Sequence, residues 1–290
     1  MIPPQFDYVR PADVGEALRI LKEREGEAKI LAGGYSLIPL LRYRLAAPGL
    51  LVDIRDLSGL DTIEEVDGEL RIGARVTHGQ IASDPIIAAR YQVFADAAPT
   101  IGDPQVRNWG TMGGSIAHAD PAADWPAVLI ATRASIVVQS ADGERVVPAR
   151  EFFIDTFVTA IEMTELLTEV RVPAPRGRSG SAYASIERKA GDFATAGAAA
   201  VLRLDDDGTI AAAGIALTAV AEAQFAATHA ERMLIGARPG NEIFEDAGRE
   251  AAAQSRPVAD NHGPVEYKRA MAAAMVERAL HRAAERAAAA

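Results

Sequence analysis

Residues 29–45 read KILAGGYSLIPLLRYRL, and this stretch decides the fold. A short apolar run, typical of a strand, stops at Gly33 and Gly34, and an apolar helix-like segment follows Ser36 as far as Leu45. Backbone N–H groups at such a turn can hold a phosphate, because glycine lets the chain come close to the anion. The pattern predicts an α/β protein with a candidate phosphate-binding turn, although glycine pairs also mark ordinary turns.

A second stretch, residues 101–121, reads IGDPQVRNWGTMGGSIAHADP. The density of Gly, Pro, Asn and Asp in residues 101–115 predicts a long irregular loop, and such loops in compact domains are often functional. The glycine pair in Thr111–Ser115 is flanked by hydroxyls, so two such loops would hold a dinucleotide from both sides. Asp120 is predicted to cap the helix that follows it. Neither loop has the spacing of a Rossmann fingerprint or a P-loop.

The remaining pattern predicts two domains, residues 1–177 and 178–290, with the first divided at about residue 56. Residues 173–180 carry Pro and Gly and separate the two. We expect antiparallel strands after the boundary and then two helical segments, at about 222–234 and from 265 to the C-terminus. Before the boundary we expect strands at 50–54 and 70–72, a helix at 78–88, and a hairpin joining 135–139 to 145–147.

Composition excludes several functions. The 290 residues carry a net charge of −10, which disfavours nucleic acid and anionic lipid as partners. Cysteine is absent, so disulfides and cysteine-held iron–sulfur clusters are excluded from this chain. Its five histidines are scattered, and we predict neither a metal site nor a catalytic residue. With no secretory signal and no long apolar span, a cytoplasmic location is expected, with any docking at the inner face of the membrane made through a complex.

Both glycine stretches together closely resemble the flavin motifs of the medium subunits of the molybdenum hydroxylases, the family of xanthine dehydrogenase and carbon monoxide dehydrogenase. The similarity continues through residues 165–173, 188–194 and 263–267, and so covers essentially the whole chain. It implies a two-subdomain FAD-binding domain of the PCMH type, followed by a domain with a three-stranded antiparallel sheet and helices. Within the family, residues 159–162 and the tail resemble the carbon monoxide dehydrogenase branch.

The resemblance implies noncovalent FAD. The residues that it places around the cofactor are Ala32, Gly33, Gly34, Tyr35, Ser36, Leu37, Ile101, Thr111, Gly113, Gly114, Ser115, Ala117, Asp120, Asp124, Leu167, Lys189, Asp192 and Phe193. The chain departs from the family pattern at Tyr35, where relatives often carry Gln, His or Thr, and at Ala184 and Ser185, where a lysine is frequent. These departures leave the redox potential of the flavin open.

The resemblance also implies partners: a small iron–sulfur subunit with two 2Fe–2S clusters and a large subunit with the molybdenum cofactor, paired as a dimer of heterotrimers. Electrons would pass from molybdenum through the clusters to FAD and then to an external acceptor such as a quinone. The alternatives are the medium subunit of a purine or aromatic-heterocycle hydroxylase, a flavin-binding protein without turnover, and a free-standing FAD oxidase. The absence of a recognisable histidyl or cysteinyl flavin attachment motif argues against the oxidase.

Overall fold

The computed structural model describes residues 2–290, and its N-terminal part is a small α/β unit. Three short parallel strands lie in the order β1–β3–β2, with an amphipathic helix whose apolar face packs on them. The Asp13 side chain caps this helix by accepting from the Glu16 N–H. The elements are β1 (Asp7–Val9), α1 (Val14–Glu23), β2 (Ala28–Leu31), α2 (Leu37–Arg42) and β3 (Leu50–Asp53).

The second part is built on a five-stranded antiparallel sheet in the order β4–β5–β10–β6–β7, with helices packed against it. The predicted hairpin is confirmed as β6 and β7. Its elements are β4 (Ile63–Val66), β5 (Glu69–Gly73), α3 (His78–Ser83), α4 (Pro85–Arg90), α5 (Gln92–Ala97), α6 (Pro104–Trp109), α7 (Met112–His118), α8 (Asp124–Ala131), β6 (Ser135–Ser140), β7 (Gly143–Pro148), α9 (Ala149–Phe152), β8 (Phe153–Asp155), β9 (Val158–Thr159) and β10 (Leu166–Pro173).

The last part has three long antiparallel strands, as predicted, and a two-residue fourth strand at the edge. A 25-residue helix packs on the sheet through alanines, and a Cβ at Gly180 would overlap the backbone of Ala283. The elements are β11 (Arg178–Ile186), β12 (Ala196–Leu204), β13 (Ile210–Thr218), β14 (Phe225–Ala226), α10 (Thr228–Leu234), α11 (Asn241–Gln254) and α12 (Val265–Ala289).

The last part is fastened to the second by charged hydrogen bonds. Arg286 on α12 donates to both carboxylate oxygens of Asp96 on α5, at 2.6 and 2.9 Å, and to the carbonyl oxygen of Ser181. Tyr183 on β11 belongs to the same buried cluster as Trp125 and Phe94 of the second part. Within residues 2–290, no helix is long and apolar enough to cross a membrane.

Four local predictions were wrong. The stretch predicted to be an irregular loop contains α6 and α7, because Asp103 and Thr111 each accept a backbone N–H bond and so cap a helix. The helix predicted at 78–88 is divided into α3 and α4, since Pro85 lacks the N–H needed to continue the first helix. Asp120 caps no helix: its carboxylate accepts from the Ala122 N–H in a turn, and α8 begins four residues after it. The segment predicted to be helical at 222–234 begins with the edge strand β14.

Candidate functional site

The first glycine loop joins β2 to α2 and offers a row of unused hydrogen-bond donors. The backbone N–H groups of Gly33, Gly34, Tyr35, Ser36 and Leu37 have no protein acceptor within residues 2–290. Gly34 has φ +78°, a conformation that side chains rarely adopt. The Ser36 hydroxyl makes no capping bond and is also available. Consecutive free N–H groups on a half-exposed turn suit an anion such as a pyrophosphate.

The second glycine loop, Thr111–Ser115 at the start of α7, differs from the first because the backbone N–H groups of residues 112–115 already have protein acceptors. Met112 N–H donates to Val76 O at 2.8 Å, and Gly113 N–H donates to Ala74 O at 2.9 Å. Gly114 N–H donates to the Thr111 hydroxyl oxygen at 3.1 Å. The predicted clamp of backbone N–H groups from both loops therefore needs correction. On this side the Thr111 hydroxyl, which keeps its own proton to donate, and the neighbouring Ser115 hydroxyl are the groups suited to an anion.

The two loops pack directly against each other. A Cβ at Gly33 would overlap the carbonyl oxygen of Trp109 and lie 3.0 Å from Gly110 Cα, so only glycine allows this approach. A Cβ at Gly114 would lie 3.9 Å from Ala32 Cβ. The structure thus brings together the two loops that the sequence predicts to act jointly.

Arg107 fixes the beginning of the second loop. Its guanidinium donates to three backbone carbonyl oxygens that lie close together in the chain, those of Pro99, Ile101 and Gly102, at 3.3, 3.1 and 3.0 Å. Arg107 belongs to the quoted stretch 101–121, but the sequence pattern alone assigns it no structural role. Its position among glycine and proline, where backbone carbonyls lack helix or sheet partners, was the available signal.

A third segment, Lys189–Phe193 between β11 and β12, approaches Gly102 at the beginning of the second stretch from the last part of the chain. A Cβ at Gly191 would lie 3.4 Å from the carbonyl oxygen of Gly102. Asp192 forms an ion pair with Arg188 at 3.0 Å, so its carboxylate holds the segment in shape. Lys189 is exposed and forms no ion pair within residues 2–290, and Phe193 is 56% exposed. Both side chains are therefore free to contact a ligand.

Asp124 lies at the start of α8, where the second part of the chain contacts β11 of the last part. The Tyr183 hydroxyl donates to its carboxylate, and burial raises the pKa of Asp124 to about 6, while the Tyr183 hydrogen bond opposes the shift. The Asp124 carboxylate, which is predicted to lie near the cofactor, thus already accepts one hydrogen bond. Tyr183 itself was missed from the sequence, since nothing in its strand pattern marks the hydroxyl as a partner of Asp124.

The other predicted contacts differ in exposure. Leu167 is buried at a bulge in β10, Ile101 is half-buried, and Ala117 is exposed on α7. Tyr35 is 42% exposed on the first loop. Ser185, one of the departures, is half-buried near the end of β11, where it pairs with Gly197.

Comparison with known families agrees with this geometry. Residues 4–175 match the model of the FAD binding domain in molybdopterin dehydrogenase, and residues 181–283 match that of the CO dehydrogenase flavoprotein C-terminal domain. The chain belongs to the molybdenum hydroxylase medium subunits. It is 42% identical over 283 residues to the carbon monoxide dehydrogenase medium chain of Hydrogenophaga pseudoflava, covering 98% of each chain.

A second relative of this medium subunit acts in a different system. The identity is 39% over 287 residues with the 6-hydroxypseudooxynicotine dehydrogenase complex subunit alpha of Paenarthrobacter nicotinovorans, covering 99% of this chain and 97% of that one. The solved structure of carbon monoxide dehydrogenase from Hydrogenophaga pseudoflava, lacking the Mo-pyranopterin moiety of its cofactor, has a TM-score of 0.95 at 44% identity and covers 99% of each chain. The medium subunit is therefore a subunit of an oxidoreductase.

Proposed function

We propose that this medium subunit binds FAD noncovalently through the three converging segments and connects a molybdenum enzyme to an external electron acceptor such as a quinone. The observation that carries the proposal is the row of five free N–H groups at Gly33–Leu37, facing the second loop across the Gly33 contact. The pyrophosphate would lie on this row, with the Ser36 and Thr111 hydroxyls as further donors. Bound FAD would supply the redox centre that takes electrons from the iron–sulfur clusters of a partner.

The remaining predicted contacts are assigned by position. Lys189 and Phe193 stand free at the end of the third segment, where they would border the flavin ring or exclude water from it. Ile101, Ala117 and Leu167 would line the rest of the cofactor. The division of the chain at about residue 177, between β10 and β11, would then separate the domain with both glycine loops from the one that supplies the third segment.

We infer a complex with a small iron–sulfur subunit and a large molybdenum-cofactor subunit, assembled as a dimer of heterotrimers. The support is that this chain has no cysteine for cluster ligation, while its full-length relatives are named as medium chains or as one subunit of a dehydrogenase complex. Native mass spectrometry of the untagged complex from its source tests this. A lone chain with full oxidase turnover would contradict it.

For the whole enzyme we propose aerobic carbon monoxide oxidation, supported by the 42% identity to a carbon monoxide dehydrogenase medium chain. The alternative is hydroxylation of an aromatic heterocycle, which the 39% identity to a 6-hydroxypseudooxynicotine dehydrogenase subunit favours. Because substrate is oxidised on the large subunit, the test is turnover of the purified complex. Reduction of a dye by carbon monoxide, with none from pyridine or purine substrates, supports the first; the reverse supports the second.

Noncovalent attachment is tested on the isolated chain. After reconstitution with FAD and acid precipitation, the yellow flavin is expected in the supernatant. Flavin that stays with the pellet would overturn noncovalent binding, and a folded chain that takes up none would overturn the proposed site itself.

A further inference from the structure

A separate cavity of about 330 Å³ lies between the second part of the chain and the last part. Its walls come from the segments after α4, α8 and β10 on one side and from β11, β12 and β13 on the other. None of the residues proposed to bind FAD lines it. The volume falls at the lower end of the range for small-molecule sites, roughly 300–1,000 Å³.

The charges around this cavity all have one sign. Four arginines line it and no carboxylate does, in a chain whose net charge is −10. They are Arg90, Arg133, Arg176 and Arg203.

Most of this positive charge is poorly neutralised. Arg176 forms no ion pair with any residue between positions 2 and 290, and Arg203 reaches Asp205 only at 3.6 Å. Arg133 lies 3.9 Å from Glu231, whose carboxylate already accepts from the Arg150 guanidinium. Only Arg90 has a close partner, in Glu65. Three of the four lining arginines, Arg133, Arg176 and Arg203, therefore have guanidinium donors that no close carboxylate occupies.

Apolar side chains form the rest of the wall. Val93, Val172, Val201 and Ala213 line the cavity from both sides of the domain boundary. Such a lining favours burial of a hydrocarbon or aromatic body, while the arginines select a negatively charged head.

We propose that this cavity is a second binding site, for a small organic anion with an apolar body and a carboxylate, sulfonate or phosphate head. Since its walls belong to both halves of the chain, the bound anion stabilises their contact, and its occupancy raises the unfolding temperature with concentration. Inorganic phosphate lacks the apolar body and binds weakly.

The test uses the full FAD-loaded chain and isothermal titration calorimetry with 2-naphthoate, its neutral amide and inorganic phosphate. We expect 2-naphthoate to bind at least about tenfold more tightly than the amide or phosphate, because the amide lacks the charged head and phosphate lacks the apolar body. The double variant Arg133→Gln/Arg176→Gln is expected to weaken naphthoate binding at least about tenfold. Arg249→Gln, which removes a surface charge on α11 outside the lining, is the matched control and leaves binding unchanged.

A cavity-filling variant separates this site from binding elsewhere. Ala212→Phe places a ring in the cavity from β13 and is expected to abolish naphthoate binding while FAD content stays the same. The proposal is overturned if naphthoate does not bind, if phosphate or the amide binds equally well, or if the double arginine variant binds like Arg249→Gln. Because these arginines are on the cavity rim and not in the core, the double variant keeps the test valid even if Ala212→Phe fails to fold.

Discussion

Replacing Gly33 with alanine should separate the two glycine loops. The new Cβ would overlap the carbonyl oxygen of Trp109 and lie 2.8 Å from its carbonyl carbon, where ordinary contact begins at 3.4 Å. The loops must therefore move apart by more than about 0.6 Å, enough to misalign short hydrogen bonds to a pyrophosphate. If two charge-assisted bonds are lost, at about 1.5–3 kcal/mol each, FAD binding weakens by about two to four orders of magnitude.

The assay is the FAD content and dissociation constant of the purified variant, measured by flavin absorbance and by the quenching of free-flavin fluorescence. Gly49→Ala is the matched control, because a Cβ there meets only atoms of Glu27, at 3.7 Å or more, and lies in the same N-terminal α/β unit. The apo forms are compared by circular dichroism to show that each variant is folded. A folded Gly33→Ala chain with wild-type affinity for FAD would refute the proposed FAD site between the two loops.

Three further outcomes are expected. Thr111→Ala removes the helix cap that accepts from the Gly114 N–H, so the unfolding free energy of the apo chain, measured with urea, should fall by about 1 kcal/mol and FAD should bind more weakly. Thr111→Ser should restore both quantities. An unchanged unfolding free energy and FAD affinity in Thr111→Ala would contradict the assigned role. The pKa of Asp124 is raised to about 6 from 3.8, so its ionisation disfavours the folded state. The free energy of unfolding should therefore fall as the pH rises from about 4 to 6. Asp124→Asn should flatten this part of the plot of unfolding free energy against pH, and an unchanged slope would count against the shift. Gly180→Ala should lower the thermal midpoint of unfolding, because the new Cβ would overlap the backbone of Ala283 in α12. The FAD affinity of the protein that remains folded should not change. A wild-type midpoint would show that α12 can shift without loss of stability.

Local patterns predicted the elements whose determinants are near in sequence. The strand, glycine turn and helix at 29–45 were predicted from apolar runs and glycine alone, although α2 ends at Arg42, before the predicted Leu45. The hairpin of β6 and β7 followed from its alternating residues and the Asp142–Gly143 turn.

Other failures were decided by contacts distant in sequence, whereas the helix starts at Asp103 and Thr111 and the break at Pro85 had local signals. Helices α6 and α7 lie in a stretch whose glycines suggest a loop, but those glycines serve close packing against Ala74, His78 and the first loop. Helix α11 was not predicted at all, and its Gly248 fits closely against the backbone of Ala273 in α12. The candidate site shows the same limit: the pattern named both loops, but not that only the first has free N–H groups.

The ion pair between Asp96 and Arg286 can form only late in the synthesis of the chain. These residues are separated by 190 positions, so at about 5–20 residues per second the ribosome delivers the arginine roughly 10–40 s after its partner. For most of that interval both glycine loops have been synthesised, whereas α12 has not. The parts of the protein that are already synthesised must remain soluble while α5 lacks its contact with α12. A chaperone that shields this surface of α5 would therefore act before α12 is synthesised.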